Sequence, residues 1–376
     1  MLSDLQKSWD VFVVGGGPAG LATAIAARSR GLSVLVVDGA VPPIDKSCGE
    51  GLMPDGVEAL QNLGIQIPEH EAYVFRGIRF VDNGAVAESA FPRGTAYGIR
   101  RTHLHRVMSD HAAECGVHML WRAAVTGIHP EGAMVAGNLV RARWMVGADG
   151  TSSRVRKWAN LDRQELAIGS SKLRFAFRRH YRISPWTDFM ELHWGERCQV
   201  YVTPVSREEV CIALISSDPK LRLAEALRQF PELLAHLAGA EFASSERGAI
   251  TVTRRVRRVY RDRSVLIGDA SGGVDAITGE GLSLSFRQAA LLGECLASGD
   301  LMRYQRGHRT LSRRPTLMAR LMLSMADHHH LRKRTMEVFQ TSPLSFAGML
   351  AMHVGEGSAR DYVSNGLALG WELLKA

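Results

Sequence analysis

Residues 14–20 read Val14-Gly15-Gly16-Gly17-Pro18-Ala19-Gly20, a G-x-G-x-x-G run. In a turn that holds a dinucleotide, each glycine has its own task. Gly15 turns the chain out of a strand, and Gly17 lets backbone approach a pyrophosphate. Gly20 lets the following helix pack close to that strand. The helix then offers unpaired N–H groups and the positive end of its dipole to the phosphates. Asp38 closes the next strand, where an acid bonds a ribose hydroxyl. Three more groups could do chemistry. Cys48 lies in the loop Asp45-Lys46-Ser47-Cys48-Gly49-Glu50-Gly51, where Lys46 would favour its thiolate. The competing reading is a small packing residue. Glu50 and Glu280 each stand between glycines and suit a proton relay, a cap or a solvated acid. His328-His329-His330 point in three directions from a helix, so no single metal site is expected of them.

These groups need a scaffold. Val11–Val14 reads as a buried strand, Leu21–Arg30 as a helix ended by Gly31, and Leu32–Val37 as a second strand. That is a βαβ unit of a parallel sheet. Arg101–Cys115 reads as an amphipathic helix. Arg143–Val146 and Ser264–Ile267 read as further strands, each running into a glycine and an acid. Residues 73–98 and 173–217 alternate aromatic, β-branched and charged types, as antiparallel strands with one covered face do. From Leu282 onward the pattern is helical. The fold expected is α/β: a Rossmann-like parallel sheet, an inserted antiparallel-sheet substrate domain and a helical C-terminal region. Its parts are 1–72, 99–172 and 259–300 for the first domain, 73–98 and 173–258 for the second, and 301–376 for the third.

Two later motifs carry a resemblance. Val146-Gly147-Ala148-Asp149-Gly150-Thr151-Ser152-Ser153-Arg154-Val155-Arg156 resembles the second fingerprint of FAD-dependent hydroxylases of the para-hydroxybenzoate hydroxylase type. Val265-Leu266-Ile267-Gly268-Asp269-Ala270 resembles their third. The resemblance implies FAD as cofactor, with Asp269 on its ribityl chain and Arg101 near its phosphates. It implies that the helix opening at Gly279-Glu280-Gly281-Leu282 aims its N-terminus at the flavin ring. It also assigns Gly39, Lys46, Cys48, Gly49, Val125, Asp149 and Gly150 to the cofactor site. The Thr278-Gly279-Glu280-Gly281 run and the Lys46-Ser47-Cys48-Gly49 segment are similar to geranylgeranyl reductases, and Gly49-Glu50-Gly51-Leu52-Met53-Pro54 also resembles a stretch of flavin-dependent halogenases. The stretch Gln199–Pro204 keeps the proline of an aromatic-rich motif of both families, without its tryptophans. His193, Tyr201 and Pro204 are the substrate candidates in the antiparallel insertion.

The function expected first is an NAD(P)H-dependent monooxygenase acting on a lipophilic phenolic, polyketide-like or isoprenoid-like molecule. The alternative is a geranylgeranyl-reductase-like enzyme that saturates prenyl double bonds. A halogenase and a non-catalytic flavoprotein rank behind. Reduced FAD would need NAD(P)H as a transient donor or an external reductase, since the chain shows no second Gly-rich fingerprint. Catalytic candidates in the protein itself are Cys48 and Glu50.

Composition narrows the setting. The 376 residues are 46% hydrophobic and 22% charged, ordinary for a globular chain, and the 37 glycines have no triplet period. Cys48, Cys115, Cys198, Cys211 and Cys295 form no C-x-x-C pair, so neither a zinc site nor a disulfide framework is expected. The first ten residues lack an apolar run, and no membrane span or secretory leader is expected. The cytoplasm is the expected compartment. The formal charge of +8 has an address: residues 303–334 carry nine basic residues and one acid, Asp327. With only Tyr304 as an aromatic there, nucleic acid is not the expected partner. The segment flanks a Leu/Met-rich stretch, which reads either as a peripheral membrane contact or as a solvated helical cap. Met318, Met322 and Met325 follow a helical stripe that reads as core, or as adaptable surface for a greasy substrate.

Overall fold

A computed structural model of the chain describes residues 5–162 and 173–356. The last twenty residues of the expected helical region, 357–376, lie outside the described residues. Among those described, an eight-stranded sheet runs Tyr260–Arg261, Ser264–Leu266, Asn138–Gly147, Trp9–Val14, Val34–Val37 and His118–Leu120 in spatial order, with two further strands branching from Asn138–Gly147. Trp9–Val14 is flanked in parallel by Val34–Val37 and Asn138–Gly147. Both faces are covered, which is why Val11–Val14 and Val34–Val37 are unbroken apolar runs. The Pro18–Arg28 helix follows the first strand, and its start depends on two glycines. A side chain on Gly20 would lie 1.9 Å from the carbonyl oxygen of Gly15, which itself holds φ at +107°. Only glycine allows both the turn and the contact.

The second sheet carries Arg174–Arg182, Glu209–Ser216, Cys198–Pro204, Phe189–Trp194, Gly77–Asp82 and Ala85–Ala90 in its main order. The expected antiparallel pairing holds for most of it, but Phe189–Trp194 pairs with Gly77–Asp82 in parallel. The chain reaches that strand from a distant part of the sequence, so no hairpin dictates its direction. Two more departures have local causes. Val125–His129, Gly132–Val135 and Asn138–Gly147 form an antiparallel meander on the first sheet, extending the short strand expected at Arg143–Val146. Leu223–Ala226 and Pro231–His236 are helical inside the expected antiparallel domain, beyond the alternating span 173–217. Pro231 takes the first helical position there, where its missing N–H costs nothing.

The helices Gly281–Ser298, Leu301–Asp327, His329–Thr341 and Pro343–Val354 complete the described chain. Met318, Met322, Met325, Met336 and Met349 are buried against Phe80, Trp194 and Phe346, on a face of the second sheet. The methionine stripe is therefore core. No described helix is long and apolar enough to cross a membrane.

Candidate functional site

A cavity of about 540 Å³ opens between the two sheets. Gly15, Gly17, Pro18 and Ala19 border it from the first turn, and Asp38 and Gly39 from the end of the second strand. Lys46, Cys48, Gly49 and Glu50 come from the next loop, and Arg101 from the start of its helix. Val125, Asp149, Gly150, Asp269, Gly279, Gly281 and Leu282 close the remaining wall, and Tyr201 reaches it from the second sheet. Five expected residues do not border it. Gly20 lies behind the turn, and a side chain on Gly268 would meet Cβ of Ala19 at 2.8 Å, so Gly268 too is a packing position. Pro204 presses its carbonyl onto Gly98. His193 pairs with Glu191 at 2.9 Å and packs edge-on against Phe230. Glu280 turns its carboxylate to Arg314 at 3.2 Å and His353 at 3.6 Å, and burial raises its pKa despite them.

The acids along the wall are already engaged. Gly16 and Ala40 N–H groups donate to the two oxygens of Asp38, each at 2.7 Å. A carboxylate oxygen accepts more than one bond, so both retain capacity for a ribose hydroxyl. Asp149 accepts from the Ser153 hydroxyl at 2.5 Å and from the Arg154 and Val155 N–H groups at 2.7 and 3.1 Å. It takes the first N–H groups of the helix Arg154–Trp158, whose N-cap is Ser153, and so shapes the loop that carries Gly150. Asp269 is the more open acid, half-exposed, with the Thr151 hydroxyl at 3.2 Å and Lys46 at 3.8 Å.

The lining fits an extended flavin dinucleotide. Side chains placed on Gly17, Gly49 or Gly281 would meet nothing within 4 Å, so these backbones face open space a cofactor can fill. Arg101 holds a buried Nε with no partner at this wall. Arg154 and Arg254 add positive charge to the wall, which suits an anionic cofactor. The N-terminus of the Gly281–Ser298 helix borders the cavity with its first-turn N–H groups.

Sequence reasoning missed the groups behind Glu50. Glu50 is buried and holds a left-handed backbone, φ +61°. Its Oε1 accepts the Arg101 N–H at 3.0 Å, and its Oε2 lies 2.5 Å from Nε2 of His180. Arg178, fully buried, stands 3.7 Å from Glu50 and also bonds Asp45. Arg178 and His180 share one face of an alternating strand, which was a signal for a pair but not for its target. Also missed was His105, which donates Nε2–H to the Gly16 carbonyl at 2.9 Å and steadies the Gly-rich turn. The expected activation of Cys48 is not supported by its surroundings. Lys46 is drawn to Asp269, and burial, only partly offset by Arg101, pushes the thiol up. Glu50, His180 and Cys211 offer ligand atoms within 4.8 Å of one another. Arg178 beside them and the direct contact of Glu50 with His180 favour a hydrogen-bonded cluster over a cation.

A small apolar void of about 20 Å³ lies on the far side of Met190 and Tyr201, which border both it and the cavity. Ile78, Phe80, Leu192, Met318, Met322 and Met349 line it. Tyr201 donates its hydroxyl to the Ile277 carbonyl at 2.6 Å, and burial raises its pKa, so it marks the junction as a neutral group.

Comparison with known proteins agrees with this geometry. The family model described as FAD binding domain matches residues 8–310. The chain is 30% identical over 325 residues to menaquinone reductase of Mycobacterium tuberculosis, covering 80% of this chain and 79% of that protein. It is 25% identical to digeranylgeranylglycerophospholipid reductase of Methanosarcina acetivorans, covering 79% and 78%. The crystal structure of a flavoprotein/dehydrogenase from Cytophaga hutchinsonii superposes with a TM-score of 0.78 at 18% identity, covering 92% of each chain.

Proposed function

We propose, for a chain that belongs to the FAD binding domain family of FAD-dependent oxidoreductases, that the reaction is reduction of a lipophilic isoprenoid-type or quinone-type molecule. The observation that carries this reading is the methionine-lined apolar wall behind Met190 and Tyr201, the two residues it shares with the cofactor cavity. Methionine is itself unbranched and flexible, so it adapts to the irregular outline of a methyl-branched prenyl chain. The motif resemblance ranks oxygen insertion first; the void, together with two relatives named as reductases, reverses that order.

Bound FAD supplies two-electron redox chemistry at its ring. The chain's residues do the rest. The Gly-rich turn and the Pro18–Arg28 helix, at the cavity, would hold the pyrophosphate, and Asp38 would hold a ribose. Asp269 and Lys46 border the ribityl stretch. The start of the Gly281–Ser298 helix, at the cavity, would favour an anionic group held there. Met190 and Tyr201 orient the substrate and, with the packed methionines, exclude water. NAD(P)H or a partner reductase donates the electrons.

The substrate arrives from a membrane face in this proposal. Arg306, Arg309, Arg313 and Arg320 are exposed along one helix with Leu317, which is 66% exposed. Arg314 and Arg332, of the same basic segment, are not available: Arg314 bonds Asp55 and Glu280, and Arg332 is buried on Asp82 at 2.9 Å.

The test is an anaerobic reaction of the dithionite-reduced holoenzyme with menaquinone and with a geranylgeranyl lipid, read by mass spectrometry. A product heavier by two hydrogens is expected. If the same mixture instead forms no such product anaerobically and, when opened to air, yields one bearing a single added oxygen, the protein belongs with the hydroxylases, the reading favoured by the Val146–Arg156 fingerprint.

A further inference from the structure

We propose that Glu50, His180 and Ser244 form a proton relay between solvent and the cofactor cavity. The proposal rests on the reading that the reaction moves protons with its electrons. Glu50 stands at the cavity wall. Its Oε2 lies 2.5 Å from Nε2 of His180, and Nδ1 of His180 lies 2.7 Å from Oγ of Ser244. Glu50 and His180 are buried, whereas Ser244 is half-buried beside exposed Ser245. The three groups therefore span the wall from inside to outside.

The surroundings set the direction of each bond. Arg178 Nη1 lies 3.3 Å from Nδ1 of His180 and can only donate. Nδ1 is therefore an acceptor, and Nε2 carries the proton that faces Glu50. Arg178 also faces Glu50 at 3.7 Å. Asp45 takes up much of the Arg178 charge, and Arg247 in turn pairs with Asp45 at 3.2 Å. Cys48 and Cys211 are the remaining titratable neighbours, and burial raises both thiols, so neither competes as an anion. The left-handed backbone of Glu50 is a conformation that a non-glycine residue rarely holds, and here it is held at the cavity wall.

The step balances without an electron. Ser244 takes a proton from solvent as it passes its own to Nδ1. Nε2 releases its proton to Oε2 of Glu50, and the carboxyl gives that proton to the reacting molecule. Tautomer exchange of the imidazole restores the start, and the reverse sequence releases a proton. Glu50 also receives the Arg101 N–H, so a purely structural role must be separated from transfer.

Chemical rescue separates them. Holoenzyme reduced anaerobically with dithionite is mixed with menadione, or with O₂ as a second proton-consuming acceptor, and flavin reoxidation is followed. His180→Ala should be slower by about 100-fold, the scale of a lost acid–base group. Added imidazole should restore its rate, while FAD affinity stays unchanged. In apoprotein, the His180 NMR titration should shift on Glu50→Gln. Should His180→Ala fail to bind FAD, Ser244→Ala serves, with slowed reoxidation expected at unchanged FAD affinity. Wild-type rates in these variants, or a slow His180→Ala that imidazole does not rescue, overturn the relay. So does a stoichiometric metal ion lost on Cys211→Ser. The O₂ arm tests the relay even if menadione is no substrate, so its failure stands apart from that of the reductase reading.

Discussion

Two glycines three residues apart should fail in different ways. Gly17 has φ −71° and ψ 176°, extended values open to any residue, and a side chain there meets nothing within 4 Å. Gly17→Val should therefore change apoprotein stability by less than about 0.5 kcal/mol, as surface substitutions do. Its side chain enters the space beside the pyrophosphate. At an FAD concentration about 100 times Kd, the cofactor adds about 2.7 kcal/mol to a protein that binds it. Gly17→Val should lose that increment. At Gly20 a Cβ would lie 1.9 Å from the Gly15 carbonyl oxygen and 3.3 Å from Cβ of Ala148. The helix must move off the strand, at a cost of about 1–3 kcal/mol for overpacking. Gly20→Ala should thus weaken the apoprotein itself. Urea unfolding with and without FAD measures both quantities. A Gly17→Val protein that keeps the full increment refutes the placement of the phosphates.

Three further outcomes follow from particular contacts. His308 is buried against Ser271, and its pKa is lowered to about 4 from 6.5. The unfolded chain takes up the proton first as pH falls. Stability is therefore full above about pH 6.5 and declines between there and pH 4, by about 3 kcal/mol in all; His308→Gln should flatten that slope in pH-dependent unfolding. Arg332 and Asp82 are both buried, so Arg332→Met should cost about 3–5 kcal/mol by stranding the acid, and Asp82→Leu added to it should recover most of the loss. Replacing Arg306, Arg309, Arg313 and Arg320 by glutamine should abolish co-sedimentation with anionic vesicles at low salt, at about 1 kcal/mol per charge. Wild type that ignores such vesicles ends the membrane proposal.

The cofactor half of this molecule was legible because its constraints are local. A turn that admits only glycine at Gly15 and Gly20 leaves a mark in sequence, and so does an acid at a strand end such as Asp38. The second sheet was legible as alternation, but alternation carries no strand direction, so the parallel partner of Phe189–Trp194 went unseen. It also marks two faces without saying which is inward, and His193 fell on the wrong one. Glu280 shows the limit of loop reasoning. Its neighbours Gly279 and Gly281 border the cavity, yet Arg314 and His353, from distant helices, hold its carboxylate away from it. The partnership of Glu50 with His180 joins positions 130 residues apart, and no spacing rule reaches that far.

The central claim is that the cavity between the sheets seats one FAD. Purified protein should show the absorption of oxidised flavin, and heat denaturation should release one FAD per chain. Gly17→Val, folded as well as wild type, should release none. A folded wild-type protein that is colourless and cannot be reconstituted with FAD would contradict the account.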